Sequence, residues 1–163
     1  ERGMNPKTQA TYLSDTGLLL IRGMVGVVFV FHGAQKLFGW FDGSGIQGFA
    51  GYLTSLGVPL PTLNACLAGS AEFFGGLALL TGIGVRFAAV PLIITMLVAS
   101  FVAHGEAFSI LKKGMEYPLT LAFMVAGLAL TGPGKVTLPW IVRLASKRTV
   151  QPSPQARSTA SET

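Results

Sequence analysis

Four apolar stretches, each long enough or nearly long enough to cross a lipid bilayer, restrict what this chain can fold into. They cover about residues 18–38, 63–83, 87–103 and 115–130. A helix needs about 20 mainly apolar residues to cross the hydrocarbon core. Half of the 163 residues are hydrophobic and only 12% are charged, a mixture more apolar than a soluble domain needs. We therefore predict an all-α polytopic membrane protein, a bundle of four transmembrane helices.

A shorter apolar pattern separates the first two stretches. Ile46, Phe49, Leu53 and Leu56 recur at helical spacing over a length too short to cross. This pattern predicts a short interfacial helix between transmembrane helices 1 and 2. The expected organisation is an N-terminal segment at 1–17, a membrane domain at 18–134 and a basic, partly disordered cytoplasmic tail at 135–163.

The distribution of basic residues predicts the orientation. Four spans place both termini on one side of the membrane together with the turn at Arg86. Three basic residues fall on the other side, namely Lys36, Lys112 and Lys113. Eight fall on the side of the termini, namely Arg2, Lys7, Arg86, Lys135, Arg143, Lys147, Arg148 and Arg157. Because basic loops stay inside, we expect a bacterial inner-membrane protein with both termini in the cytoplasm.

Charged and polar residues within or beside the spans are the candidate functional residues. A charge at the centre of a span costs about 3 kcal/mol or more and usually faces the interior of the bundle. The candidate residues for a polar cluster or ligand site are Arg22, His32, Lys36, Glu72, Arg86, His104 and Glu116.

Helical spacing predicts which side of each helix faces inward. At about 100° per residue, the stripe on helix 1 carries Arg22 and Lys36 with His32 at its edge, and the stripe on helix 2 carries Glu72 between small residues. We expect Glu72 to pair with a basic group, with Arg22 or His32 favoured over Lys36. The other two predicted faces are Arg86, Ile93, Leu97, Ser100 and His104 on helix 3 and Glu116, Thr120, Phe123 and Gly127 on helix 4.

Two simpler interpretations of these residues stay open. Buried ion pairs can fix helix register without performing chemistry, and Arg22 and Arg86 lie near the helix ends, where their side chains can reach the interface. Haem ligation by His32 and His104 is disfavoured, because their expected depths differ by about 6 Å. The single Cys66 excludes an intrachain disulfide. The pattern contains no metal-spaced cluster and no basic patch with interleaved aromatics that would indicate nucleic-acid binding.

Several short motifs in order resemble the DoxX family. They are Arg22 followed by FHGAQKLFG at 31–39, LGVP at 56–59, AEFFGG at 71–76, GVR at 84–86 and AHG at 103–105. The resemblance covers about residues 13–140. It implies a four-helix bacterial membrane protein linked to quinone-reactive or thiol and oxidative-stress redox systems, and it directs attention to Arg22, His32, Lys36, Glu72, Arg86 and His104.

The leading functional hypothesis is a redox-associated, quinone-linked subunit of an oxidoreductase. Its polar interior would bind a quinone head group or conduct protons, with no covalently bound cofactor and with electrons supplied by a redox partner protein. A homo-oligomer is an alternative assembly. A non-enzymatic scaffold or assembly anchor is the second hypothesis, and a small-solute transporter is the third.

Overall fold

A computed structural model describes residues 5–149, and this part of the chain is built from helices joined by short turns. The helices are α1 Pro6–Phe38, α2 Gly45–Ser55, α3 Pro61–Thr81, α4 Val85–Val98, α5 Glu116–Thr131 and α6 Leu138–Thr149. A π-helical turn, Ala99–Ala103, continues α4, and a short 3-10 turn, Ile110–Lys112, precedes α5.

Three helical segments in the described part of the chain are long and apolar enough to cross a membrane. They are Gln9–Phe38, Pro61–Thr81 and Val85–Ala103. The 16-residue α5 is a shorter apolar helix that extends for about 24 Å, less than the roughly 30 Å of a hydrocarbon core. The first span and its helix begin earlier than the apolar pattern indicates, because α1 continues towards the N-terminus through a polar turn.

Helices α1, α3, α4 and α5 share one apolar core. It contains Phe29 from α1, Leu79 from α3, Leu92 from α4 and Val125 from α5, all at most 1% exposed. Large apolar side chains such as Leu20 and Phe123 are exposed on the outer faces of the helices. An apolar exterior of this extent is suited to lipid rather than water.

Glycine allows α1 and α3 to pack closely in antiparallel order. A methyl group at Gly33 would lie 2.7 Å from the Cα atom of Phe73, and one at Gly76 would lie 2.8 Å from the carbonyl oxygen of Gly26. Only a residue without a side chain fits such backbone contacts. The predicted inward faces of these two helices are confirmed, because Arg22 and Glu72 are both buried.

The predicted inward faces of the third and fourth helices are wrong. On α4 the buried residues are Val85, Ala89, Leu92 and Met96, and on α5 they are Pro118, Leu121, Ala122, Val125 and Leu128. Of the predicted set, Ser100 is buried, whereas Arg86 and Phe123 are exposed. The prediction used polar residues near the helix ends as markers of the interior. At those ends polar groups bond to backbone groups of neighbouring segments, so their positions do not indicate which side of the helix is packed.

The segments predicted at the two ends of the chain do not match the boundaries of the helices. The N-terminal segment predicted at 1–17 includes the first turns of α1, and the tail predicted from 135 includes α6. The last part of the predicted tail, 150–163, lies outside the described residues.

Candidate functional site

Glu72 forms an ion pair with Lys36 in the contact between α1 and α3. Both carboxylate oxygens lie 2.5 Å from the Lys36 Nζ atom. Glu72 is 1% exposed, whereas the Lys36 side chain is 24% exposed. The pair therefore presents its ammonium group, and not its carboxylate, to the surroundings.

The expectation that Glu72 has a basic partner is confirmed, but the favoured partners Arg22 and His32 are wrong. In the antiparallel packing Gly26 lies against Leu80, Gly33 against Phe73 and Lys36 near Gly69. Arg22 is therefore opposite the end of α3, about 15 Å along the axis from Glu72. The long side chain of Lys36 spans the turn of helix that separates its own backbone from the level of Glu72.

Arg22 instead binds the loop that follows α5. It donates from Nη1 to the carbonyl oxygen of Pro133 at 3.0 Å and from Nη2 to that of Val136 at 2.6 Å, and it is 1% exposed. Its guanidinium also lies beside Gly82 at the C-terminal end of α3, where the helix dipole is negative. Arg22 thus connects three chain segments at one end of the molecule.

His32 has hydrogen-bonding contacts with Gln35 and with α5, and not with Glu72. Its Nδ1 atom is 3.1 Å from the side-chain oxygen of Gln35, and its Nε2 atom is 3.4 Å from the hydroxyl of Tyr117 on α5. Gln35 in turn donates to the carbonyl oxygen of Phe41 in the turn after α1. This chain of contacts holds the turn, and nothing in the sequence indicated the pairing with Tyr117, which is 85 positions away.

Two further predicted residues bind backbone groups, Arg86 on the neighbouring helix α5 and Glu116 in the short turn before α5. Arg86 is exposed and donates to the carbonyl oxygen of Ala129 at 3.2 Å, while Glu116 accepts from the amide of Ile110 at 3.0 Å. Neither contacts the Lys36–Glu72 pair. Similar expected depths also predict that Lys36, His104 and Glu116 cluster near one end of the bundle, but the Glu116 carboxylate binds the amide of Ile110 instead.

A cavity of about 480 Å³ lies between α2, α3 and α4, and Lys36, Glu72 and His104 all line it. Its volume is in the range typical of small-molecule sites. Most of the wall is apolar, and its main side chains are Phe49, Tyr52, Leu53, Leu56, Leu67, Ile94, Val98 and Val102. We call this space the α2–α4 cavity.

The wall of the α2–α4 cavity includes two irregular features of α4. Pro91 lies on the lining face, and the π-helical turn Ala99–Ala103 ends beside His104. Single π-turns inside long helices occur frequently at functional sites. Here the π-helical turn immediately precedes His104 in the chain.

His104 and Lys36 provide complementary hydrogen-bonding groups in this cavity. The Nδ1 atom of His104 lies 2.7 Å from the carbonyl oxygen of Lys113, so Nδ1 carries the proton and donates it. In the neutral ring Nε2 is then an acceptor. The ammonium of Lys36 uses two of its three N–H bonds on Glu72 and lies 5.2 Å from the ring centre of Phe49. Lys36 and His104 are therefore among the polar groups of a cavity whose walls are mostly apolar.

The sequence did not indicate the contribution of α2 to this site. Phe49 was recognised as part of a short apolar pattern, but its position near the Lys36 ammonium depends on how the segment folds back after the turn at 39–44. The sequence feature that could have revealed this contribution is an aromatic residue, Phe49, on a short helix that must lie next to the first span.

Comparison with known proteins places the chain in a family. The family model described as DoxX matches residues 17–105, which include every predicted site residue except Glu116. The inner membrane protein YphA of Escherichia coli strain K12 is 31% identical over 129 residues, or 74% of this chain and 86% of that protein. A Bacillus subtilis strain 168 protein named "Putative oxidoreductase CatD" is 28% identical over 118 residues, or 72% of this chain and 81% of that protein. No solved structure matches the chain significantly. The protein therefore belongs to the DoxX family.

Proposed function

We propose that the α2–α4 cavity binds the head group of an isoprenoid quinone, and that the protein serves an oxidoreductase as its quinone-linked subunit in the bacterial inner membrane. The observation that carries the proposal is the union of an apolar cavity with the Lys36 ammonium and the acceptor nitrogen of His104. A quinone needs an apolar cleft with a few converging polar groups. The names of the two relatives support an inner-membrane location and a redox link.

The chemistry of the lining side chains defines what this chain would contribute. Lys36 can donate a hydrogen bond to a quinone carbonyl oxygen, which favours the negative charge that develops there on reduction. The Nε2 atom of His104 can accept a hydrogen bond or a proton from a bound ligand. Lysine, glutamate and histidine handle protons and not electrons, so a partner protein with a redox cofactor has to exchange the electrons.

A second function, a non-enzymatic membrane anchor for a partner complex, is favoured by a specific observation. Four of the seven candidate residues bind backbone groups of other chain segments, and these are Arg22, Arg86, His104 and Glu116. Such contacts hold the fold in place and need no ligand. The two functions differ in what they predict for substitutions in the cavity.

Removal of the Lys36–Glu72 pair should weaken quinone binding at least about 10-fold, a loss of about 1.4 kcal/mol. The measurement is titration of purified protein with a short-chain quinone, for Lys36→Gln, Glu72→Gln and the double variant. The exposed Lys112→Gln serves as a matched charge control outside the cavity. Because each single change leaves one charged partner alone, the double variant separates loss of binding from loss of stability.

A steric variant completes this test. Ala68 lines the cavity from α3, so Ala68→Phe should fill it and block the quinone without altering any charge. If both the charge and the steric variants fold and bind quinone as the wild type does, the quinone proposal is wrong. If Glu72→Gln lowers only the melting temperature, the pair serves the fold and the anchor function is favoured.

The same proposal includes four membrane spans, with α5 as the fourth, α2 at the interface and both termini in the cytoplasm. Arg86 and Lys135 line one shared pocket, so two of the basic residues assigned to the cytoplasmic side lie at the same end of the molecule. In a Cys66→Ser background, a cysteine at Ser153 should be protected from an impermeant thiol reagent in intact cells. A cysteine at Lys112 should react in the same cells. The opposite labelling pattern would reverse the orientation.

A further inference from the structure

Helix α6 presents an apolar face that no part of the described chain covers. The side chains of Leu138 to Lys147 are exposed, and the large apolar ones among them are 44–54% exposed. Leu138, Ile141, Val142 and Ala145 follow the spacing i, i+3, i+4, i+7 and so share one face of the helix. A helix exposed to water on this face would lose the free energy of burying it.

The opposite face of α6 is basic. Arg143 and Lys147 are four positions apart and therefore adjacent on the helix surface. The helix sequence contains no acidic residue. Trp140 is three positions before Arg143 and seven before Lys147, so it lies on the basic face, and tryptophan is enriched at the level of lipid headgroups.

The start of α6 is fixed at one end of the apolar core. The loop between α5 and α6 receives two hydrogen bonds from buried Arg22, and the amide of Lys135 donates to Asp15 at 3.0 Å. Asp15 lies where α1 changes from apolar to polar sequence. The loop therefore holds α6 at the level where the membrane-crossing part of the molecule ends.

The charge of this end identifies the surface that α6 faces. Arg86 and Lys135 line a pocket at the same end, and Asp15 is the acidic residue among its lining groups. With Arg143 and Lys147 added, the end carries a positive excess. Anionic phospholipids attract basic groups at the membrane surface, and each Lys or Arg near the surface adds to the binding free energy.

We propose that α6 lies on the bilayer surface, with its apolar face in the lipid and its basic face against anionic phospholipid headgroups. This inference goes beyond the proposed quinone site, because it concerns the opposite end of the molecule and does not depend on a ligand. Charge complementarity and continuity with the membrane-crossing helices favour lipid over a protein partner as the occupant.

Tryptophan fluorescence of the intact protein tests the proposal. The chain has two tryptophans, so Trp40→Phe leaves Trp140 as the only reporter. In phosphatidylcholine vesicles containing phosphatidylglycerol, lipids brominated near the headgroup should quench Trp140 strongly, and more strongly than in vesicles without the anionic lipid. The double change Arg143→Glu with Lys147→Glu should reduce this quenching by at least about half. The matched double change Lys112→Glu with Lys113→Glu should leave it unchanged.

Three results would overturn the proposal. Quenching of Trp140 by aqueous acrylamide but not by brominated lipid would place α6 in water. Protection from both quenchers would mean that a second copy of the chain or another protein covers the helix. Equal quenching in neutral and anionic vesicles, unaffected by charge reversal, would remove the role assigned to anionic headgroups.

Discussion

Gly33→Ala should lower the free energy of unfolding by about 1–3 kcal/mol, the cost typical of overpacking an interior contact. The added methyl would clash with the backbone nitrogen of Phe73 and lie 2.7 Å from its Cα atom, closer than the 3.0 Å that real Cβ atoms essentially always keep. Because the nearest atoms belong to backbone, no side-chain rotation relieves the contact, and α1 and α3 have to separate. Unfolding of the purified protein by a denaturing detergent in mixed micelles measures the loss.

Gly23→Ala is the matched control on the same helix. A methyl at Gly23 would have no atom within 4 Å among the described groups beyond its own helix. Its effect should be neutral or stabilising by at most about 1 kcal/mol, since alanine is the better helix former. Equal effects of the two substitutions would mean that close packing at Gly33 does not stabilise the fold.

Arg22→Met should destabilise the protein by about 2–4 kcal/mol, because two hydrogen bonds from a charged donor are lost and partly buried carbonyl groups stay unpaired. The carbonyl oxygens concerned are those of Pro133 and Val136. Arg22→Lys should recover only part of the loss, since a lysine ammonium lacks the planar fork that reaches two acceptors. The same detergent unfolding measurement applies, combined with proteolysis of the loop between α5 and α6.

Arg86→Met is the control for this prediction. Arg86 is exposed and makes one backbone hydrogen bond, so its removal should cost no more than about 1 kcal/mol. If Arg22→Met is as mild as Arg86→Met, the loop does not depend on the buried guanidinium. Other contacts would then have to hold the start of α6 in its position.

These stability effects are separable from the chemistry of the cavity. Gly33 and Arg22 are absent from the cavity lining, and Arg22 lies about 21 Å along α1 from Lys36. A milder variant such as Arg22→Lys should therefore retain quinone affinity if it folds. A loss of quinone affinity in Lys36→Gln without a loss of stability would then be an effect on the binding site and not on the fold.

The sequence alone was sufficient for the positions of the main helices. The apolar stretches and the proline and glycine punctuation predicted α3 and α5 to within a few residues, and the short pattern from Ile46 predicted α2. The inward faces of α1 and α3 were also predictable, because a charge and several glycines coincide on one side of each helix. Burial of Glu72 follows from that coincidence, since a charge among glycines has to meet a neighbouring helix.

The tertiary structure decided which cation meets Glu72 and which polar residues reach the cavity. Pairing depends on the register of α1 against α3, and close glycine contacts fix that register to within less than a helical turn. A shift of one turn, about 5.4 Å, would exchange the partner, and no local sequence pattern measures such a shift. Likewise α4 and α5 are apolar on all sides, so only packing selects their buried faces. The α2–α4 cavity exists because α2 folds back beside α3. The geometry of the turn at 39–44 sets this arrangement, and the spacing of apolar residues does not predict it.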